Sequence, residues 1–278
     1  MKYSYYFGGN MEKACDSNRM KISAMSALWG DVAAGGMLNW MMEVRQAGYD
    51  GVSCFVWDLE NGYLGKPDDF KKLLDEAGLP LASVVIFGID ANFDNYRQVC
   101  EFMSYNNCEN LVLLGGNGKK AGDFKALGGL LNYIGGIALS YGIKAVYHNH
   151  SGMIGETFGD MDNLLANTDP ERVFVMVDTG HATLDFTDYP NTGERAVAFM
   201  KKYWDRFSFV ELKDFNETTG LATPVGEGYC DHQAVFDFLK EKAYTGWIAV
   251  EQNGPSLGRT PLECAKISRE FIRIGLGV

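Results

Sequence analysis

The sequence lacks the features that mark membrane and secreted proteins. No apolar run approaches the roughly 20 residues that a helix needs to cross a bilayer. The first six residues, MKYSYY, lack the apolar core of a signal peptide. None of the six cysteines forms a C-x-x-C pair, which favours reduced core thiols over disulfides or a zinc site. We therefore expect a cytoplasmic protein without a membrane partner.

An excess of positive charge is also missing. The chain carries 25 Lys and Arg against 36 Asp and Glu, a net charge of −11. A protein that grips phosphate backbones needs a basic surface, so we expect no nucleic-acid partner.

Linkers are absent as well, because no Pro/Ser-rich or low-complexity stretch divides the 278 residues. We expect an N-terminal extension over 1–19 and a single domain over 20–278. Apolar strands alternate with helical segments eight times. The predicted strands cover 20–29, 49–57, 81–87, 110–114, 143–147, 173–178, 207–214 and 247–251.

Eight β-α units in a chain of this length predict an α/β fold, a single (β/α)8 TIM barrel. A doubly wound open sheet is the alternative. It should show a Gly-rich dinucleotide turn after the first strand, and Trp29-Gly-Asp31 is not such a turn.

The most informative stretch is Val173–His181, in which five apolar residues lead directly to Asp178, Thr179, Gly180 and His181. Such a run is typical of a strand buried on both faces. An α/β barrel keeps its catalytic residues at the carboxyl ends of these strands. The ordinary alternative is that Asp178 only caps a turn.

Other predicted strands end in the same way. The polar groups at or just after these ends are His148, His150, Glu156, Asp178, His181, Glu211, Lys213, Asp214 and Glu251. In a closed barrel they converge on one mouth, where buried carboxylates need a cation. Oxygen-rich ligation with one or two imidazoles suits Mn²⁺ or Mg²⁺. The fourth histidine of the chain, His232, is expected at the surface.

A Gly-rich turn with two lysines, Gly115–Lys120, follows the fourth strand. It could cradle a phosphate, but it lacks the spacing of a Walker A or dinucleotide motif, so a flexible loop is favoured.

The second half of the chain resembles the sugar phosphate isomerase/epimerase superfamily of xylose isomerase-like TIM barrels, and within it most closely the inosose dehydratases, which act on 2-keto-myo-inositol. The first half matches only in its β-α rhythm. The similar segments are 147–150, 167–170, 178–181, 212–214, 224–228 and 246–251.

The resemblance implies one divalent metal, Mn²⁺ before Co²⁺, Mg²⁺ or Zn²⁺. The family ligands are a Glu at strand five, an Asp at strand six, a His at strand seven and a Glu at strand eight. Asp178 and Glu251 match this pattern. Glu211 stands in the His position and His148 in the first Glu position, so Glu156 in the following loop is the expected substitute. The expected ligands are Glu156, Asp178, Glu211 and Glu251.

The resemblance also implies that His181 contacts the substrate, and His150 is a second candidate ligand or substrate contact. Four aromatic residues near strand ends either form a sugar-stacking wall or belong to the core: Trp29, Phe55, Trp57 and Phe87. The expected substrate contacts are His148, His150, His181 and Trp29.

These residues suggest a hypothesis for the reaction on a keto-sugar or cyclitol. Glu156 or Glu251 removes a proton next to the carbonyl, and the metal stabilises the enediolate. His181 and Lys213 hydrogen-bond the oxyanion or move protons. Epimerisation, aldose–ketose isomerisation and dehydration can all begin with this step.

Three alternatives stay open. In the first, the barrel is a non-catalytic binding subunit. In the second, it is a partner-dependent subunit that cleaves C-glycosides. An endonuclease IV-like nuclease is disfavoured, because it needs many more histidines than the four present. A homo-oligomer is possible, since barrels of this family often form dimers or tetramers.

Overall fold

The structure is a computed structural model that describes residues 19–60 and 62–278. The N-terminal extension expected over 1–19 lies, apart from Arg19, outside the described residues. Its boundary with the barrel stays a prediction.

Eight parallel strands close into a barrel in the order β1, β10, β7, β6, β5, β4, β3, β2. The barrel strands are β1 Lys21–Met25, β2 Gly51–Phe55, β3 Leu81–Phe87, β4 Asn110–Leu114, β5 Lys144–Tyr147, β6 Val173–Asp178, β7 Phe207–Leu212 and β10 Trp247–Val250. An antiparallel hairpin consists of β8 Asp214–Asn216 and β9 Gly220–Thr223. The prediction of a single α/β barrel is confirmed.

Helices follow the barrel strands and cover the outside of the barrel. They are α1 Val32–Gly35, α2 Met37–Gln46, α3 Val56–Glu60, α4 Pro67–Ala77, α5 Phe93–Tyr105, α6 Ala121–Ser140, α7 Phe158–Leu165, α8 Thr179–Asp185, α9 Arg195–Lys202, α10 His232–Glu241 and α11 Pro261–Leu276. None of the helices in the described ranges has the length and apolar character to span a bilayer.

The last helix begins with two reciprocal hydrogen bonds between its capping residue and its first turn. The hydroxyl of Thr260 accepts a hydrogen bond from the Glu263 N–H, and the Glu263 carboxylate accepts one from the Thr260 N–H. This reciprocal pair satisfies two N–H groups that the first turn of a helix leaves free.

Three strands end two or more residues before the predicted position, and the second of them stops at Phe55 because Val56 begins α3. The first strand stops at Met25 and passes into a 3-10 turn over Ser26–Trp29. The hydroxyl of Ser26 donates to the Asp58 carboxylate at 2.6 Å, a tertiary contact between β-α units that local sequence does not reveal. The seventh strand stops at Leu212, because Asp214 already belongs to the hairpin.

Side-chain alternation along the strands places the polar residues in the mouth. One layer of the barrel interior is apolar and contains Val146, Met176, Phe209 and Ala249. Because side chains on one face of a strand recur every second residue, the residue two positions beyond each of these also points inward. Those residues are His148, Asp178, Glu211 and Glu251.

Glycines let α6 approach the segment that precedes β6. A Cβ on Gly135 would lie 2.3 Å from the carbonyl oxygen of Arg172. Gly129 of the same helix is exposed, and a Cβ there would have no neighbour within 4 Å in the described part of the chain.

We expect Gly135→Ala and Gly129→Ala to change the free energy of unfolding in opposite directions. Overpacking against backbone destabilises by about 1–3 kcal/mol. Alanine in place of an exposed helix glycine stabilises by about 0.5–1 kcal/mol. Urea unfolding monitored by circular dichroism measures both, and a shift of the same sign and size would contradict the close packing of α6.

Candidate active site

Four titratable side chains from four neighbouring strands meet at the carboxyl-terminal mouth of the barrel. His148 follows β5, Asp178 ends β6, Glu211 lies in β7 and Glu251 follows β10. One ligand atom of each lies within 4.8 Å of all the others. All four are buried, and Glu251, at 9% exposed, is the most accessible.

The contacts within this cluster are close. His148 Nε2 lies 3.1 Å from Glu211 Oε1 and 3.6 Å from Asp178 Oδ2. The ammonium of Lys213, itself 1% exposed, donates to Glu251 Oε1 at 2.9 Å and lies 3.9 Å from Asp178 Oδ2. Three buried carboxyl groups therefore surround one buried lysine.

Burial and like charges make Glu211 the carboxyl group of the cluster that most readily keeps a proton. Burial and then the neighbouring carboxylates of Glu251 and Asp178 raise the pKa of Glu211 well above its usual value. Burial also opposes ionisation of Glu251, but Lys213 and a hydrogen bond with Glu211 lower its pKa. The two glutamates thus share a hydrogen bond in which Glu211 carries the proton.

The other three groups, His148, Asp178 and Lys213, differ in charge at neutral pH. Burial lowers the pKa of His148 to about 3, so its imidazole is neutral and has a lone pair to offer. Burial alone would raise the pKa of Asp178, but His181, Lys213 and His148 together lower it to about 2. Burial alone would lower the pKa of Lys213, yet the surrounding carboxylates raise it above its ordinary value.

A divalent cation fits this set of donors. Asp178 Oδ1 accepts the N–H of His181, whereas the buried Oδ2 has no hydrogen-bond partner among the described residues. That unpartnered oxygen faces a neutral imidazole and lies near the carboxyl groups of Glu211 and Glu251. Carboxylate oxygens with one imidazole are a ligand set that Mn²⁺ accepts readily.

Glu156, expected as a ligand and as a base, does not lie in the cluster. It sits in the loop before α7, where its carboxylate accepts from the Gly152 N–H at 2.9 Å and from Lys119 Nζ at 2.5 Å. Lys119 also pairs with Asp160 at 2.9 Å. One of the two lysines of the Gly115–Lys120 turn, Lys119, is therefore paired with these carboxylates. His148 takes the place in the cluster expected for Glu156.

Two further expectations differ from the structure. Trp29 does not line the cavity, because the 3-10 turn directs its indole N–H to Glu43 of α2 at 2.8 Å. The surface position expected for His232 is wrong. It is 2% exposed, its Nε2 lies 3.2 Å from the hydroxyl of Thr179, and its ring meets Phe271 edge to face, because α10 packs against α11.

His181 lies in the first turn of α8 and is oriented by two residues that the sequence analysis missed. Ser151 Oγ lies 2.7 Å from His181 Nδ1 and donates its only proton to Asp185 Oδ2 at 2.5 Å. The hydroxyl must therefore accept from His181 Nδ1–H, an assignment based on the hydrogen-bond network. The Ser151 N–H lies 3.4 Å from the same nitrogen, a longer contact than that of the hydroxyl. The hydroxyl contact therefore determines that Nδ1 carries the ring proton.

This tautomer leaves the lone pair of the neutral ring on Nε2. That nitrogen is buried, has no hydrogen-bond partner in the described part of the chain, and lies 3.8 Å from Asp178 Oδ2. His181 can therefore accept a proton, or donate one once it is charged, on the side of the cluster. No local signal predicts this network, because Ser151 and Asp185 are 34 residues apart.

A cavity of about 430 Å³ opens above the cluster. Its polar lining comes from His148, His150, Glu211, Lys213, Glu251 and Asn253. Its apolar lining comes from Ala27, Phe55, Trp57, Val85, Phe87 and Leu114. Three of the four aromatic residues considered for a stacking wall therefore do line the cavity.

Comparisons with known proteins agree with this architecture. The family model described as xylose isomerase-like TIM barrel matches residues 42–274. The inosose dehydratase of Lactiplantibacillus plantarum is 33% identical over 160 residues, 51% of either chain. That of Bacillus licheniformis is 35% identical over 159 residues, again 51% of either. The chain thus matches about half the length of these curated relatives.

Solved structures extend the likeness over nearly the whole chain. A sugar phosphate isomerase/epimerase from Parabacteroides distasonis superposes with a TM-score of 0.74 at 21% identity, covering 94% of this chain and 95% of the other. A D-allulose 3-epimerase from Methylomonas sp. gives 0.75 at 17% identity, covering 93% and 99%. At these identities the likeness concerns the fold.

We expect Asp185→Asn to change the tautomer of His181. An amide at this position no longer requires the Ser151 proton, so the hydroxyl can donate to Nδ1 and the ring proton moves to Nε2. Long-range ¹⁵N–¹H correlation spectra of the histidine rings at neutral pH measure the change. Asp188→Asn is the control, because Asp188 binds the N–H groups of Phe158 and Gly159 instead. An unchanged His181 ring in Asp185→Asn would contradict the assigned network.

Proposed function

This chain belongs to the xylose isomerase-like TIM barrel family, and we propose that it is a divalent-metal-dependent enzyme that removes a proton next to the carbonyl of a keto-sugar or cyclitol. One observation carries the proposal. Four side chains of types that can bind a metal have ligand atoms within 4.8 Å of one another at the barrel mouth. Beside them lie a buried lysine and His181, whose Nε2 has no hydrogen-bond partner among the residues that the structure describes.

His148, Asp178, Glu211 and Glu251 would hold the metal, for which Mn²⁺ is our first choice and Co²⁺, Mg²⁺ or Zn²⁺ the alternatives. When bound, a divalent cation supplies a Lewis acid that polarises a carbonyl and stabilises negative charge on its oxygen. Like the ligand set that the family resemblance implies, this set contains one imidazole and three carboxylates. Here, however, the imidazole follows the fifth strand of the barrel, whereas in the family pattern it belongs to the seventh.

Glu251 is the best candidate for the base. It lines the cavity, and Lys213 keeps its pKa below the ordinary value, so that it is ionised at neutral pH. Glu156, the other candidate, is held by Lys119 outside the cluster. The carbonyl makes the neighbouring C–H more acidic. A carboxylate within reach of that C–H can then remove the proton.

Two groups can stabilise the oxygen that becomes negative. Lys213 carries a fixed positive charge in a water-poor site, where such a charge acts strongly on an oxyanion. His181 offers Nε2 as a proton acceptor or donor, in the orientation that Ser151 and Asp185 impose. His148 would serve the metal, and half-buried His150 lines the cavity where it can contact substrate.

The first step is shared by several reactions. Return of the proton to the opposite face gives an epimer, return to the neighbouring carbon gives an isomer, and loss of a β-hydroxyl gives dehydration. The inosose dehydratases and the D-allulose 3-epimerase among the similar proteins carry names from two of these classes. We therefore propose a sugar isomerase/epimerase or inosose dehydratase-like lyase.

Metal content tests the ligand set. We expect about one Mn²⁺ per chain after loading and dialysis, measured by elemental mass spectrometry. Glu251→Gln should bind Mn²⁺ at least about tenfold more weakly, because even supporting residues of a metal site contribute that much. Glu156→Gln is the matched control and should bind Mn²⁺ like the unchanged protein.

Deuterium exchange tests the reaction. In D₂O, proton spectra of 2-keto-myo-inositol, D-allulose and D-fructose should show loss of the signal next to the carbonyl for at least one compound. Glu251→Gln should abolish the exchange and Glu156→Gln should retain it. A protein without stoichiometric metal and without exchange on any compound would overturn the proposal and favour the binding-subunit alternative.

A further inference from the structure

We propose that the apolar half of the barrel mouth is a subsite for a flat apolar substituent, so that the substrate is a sugar or cyclitol derivative that carries an aromatic or similar group. This inference rests on the proposed function, since it concerns the same cavity. It goes further by defining the chemical class of the substrate.

The subsite is a continuous wall of aromatic rings. Phe55, the last residue of β2, stacks on Trp57 of α3 with ring centroids 4.1 Å apart and planes 11° apart. Trp57 lies 6.5 Å from Phe87, the last residue of β3. Phe87 meets the ring of His150 edge to face at 5.7 Å, which joins the wall to the polar half of the cavity.

Barrel topology separates the two halves. The apolar lining comes from β2, β3 and β4, the 3-10 turn after β1 and the helix α3 after β2, and β1 to β4 are neighbours in the closed sheet. The polar lining comes from β5, β7 and β10 and the residues that follow them, on the opposite side. A ligand whose carbonyl reaches Glu251 and Lys213 must therefore present its other side to Trp57 and Phe87.

A simple polyol matches only one of these sides. The apolar lining offers no side-chain hydrogen-bonding group except the indole N–H of Trp57. A free cyclitol carries hydroxyl groups around its whole ring, and those placed against this wall would lose water without gaining partners, which is unfavourable. A planar apolar substituent instead buries its surface there and stacks on the rings.

Exposure points to the same conclusion. Trp57 is 45% exposed and Phe87 is 47% exposed. Of the large apolar side chains exposed in residues 19–60 and 62–278, these two line the cavity. Exposed aromatic residues that are contiguous with a polar site mark a surface that a ligand covers. The volume of about 430 Å³ also falls within the roughly 300–1,000 Å³ of pockets for drug-sized ligands.

The origin of the wall in the chain is informative as well. The segments that resemble sugar isomerases lie between 142 and 271 and supply the polar half. The wall comes from residues before 115, outside the segments that carry this resemblance, although the family model matches from residue 42 onward. The reaction chemistry and the apolar specificity of this cavity thus come from different parts of the sequence.

Binding of two unreactive glycosides tests the subsite. Methyl and phenyl β-D-glucopyranoside differ only in the apolar substituent and have no carbonyl to react. Isothermal titration of the Mn²⁺-loaded protein should show the phenyl compound binding on the order of ten- to one-hundredfold more tightly, as burial of an aromatic ring predicts.

Variants of the aromatic residues test whether the tighter binding of the phenyl compound depends on the wall. Trp57→Ala and Phe87→Ala should each remove most of the preference for phenyl, while leaving the affinity for the methyl compound and the Mn²⁺ content unchanged. Trp57→Phe should retain part of the preference. Tyr133→Ala is the matched control, since Tyr133 is an aromatic residue of α6 that is 50% exposed and does not line the cavity.

The outcomes separate this inference from the proposed function. Equal affinity for both compounds, or failure of both to bind, would overturn the apolar subsite. Equal loss of both affinities in Trp57→Ala would assign the wall to sugar stacking and would also overturn it. Deuterium exchange on keto-polyols and metal content report the proposed function independently, so a phenyl preference in a protein with neither exchange nor stoichiometric metal would leave the subsite standing and remove the proposed function.

Discussion

The structure of the barrel mouth depends on the balance of buried charge. Asp178, Glu211 and Glu251 lie buried within a few ångströms of one another, with the buried Lys213 beside them. Charges removed from water at this spacing must be compensated or neutralised. Lys213 compensates one charge, a proton on Glu211 removes another, and the neutral ring of His148 adds none. A divalent cation would replace the proton and use the same ligand atoms.

Strand periodicity explains why most of this cluster could be predicted from the sequence. His148, Asp178, Glu211 and Glu251 each end a run of apolar residues, and alternation then fixes the inward direction of their side chains. The barrel itself follows from the same alternation of strands and helices. Local patterns are sufficient here because the apolar run of each strand by itself determines where the strand ends and which of its side chains point inward.

Residues positioned by tertiary contacts could not be predicted in this way. Glu156 follows its strand by several residues, so the lysine across the loop determines where it lies. Trp29 turns outward because a contact with another β-α unit ends the first strand early. His232 is buried by the packing of one helix on another, and Ser151 meets Asp185 only in the folded chain. Such pairings leave no periodic signal.

The division of the mouth between two sets of strands has an evolutionary consequence. Because the first four strands shape the apolar wall and the later strands hold the titratable groups, selection can act on each set separately. Mutation in the early β-α units would diversify the accepted ligands without disturbing the electrostatic balance around Lys213. Recombination between related barrels near the end of the fourth strand would transfer ligand preference as a block. The two parts of this chain can therefore have diverged at different rates.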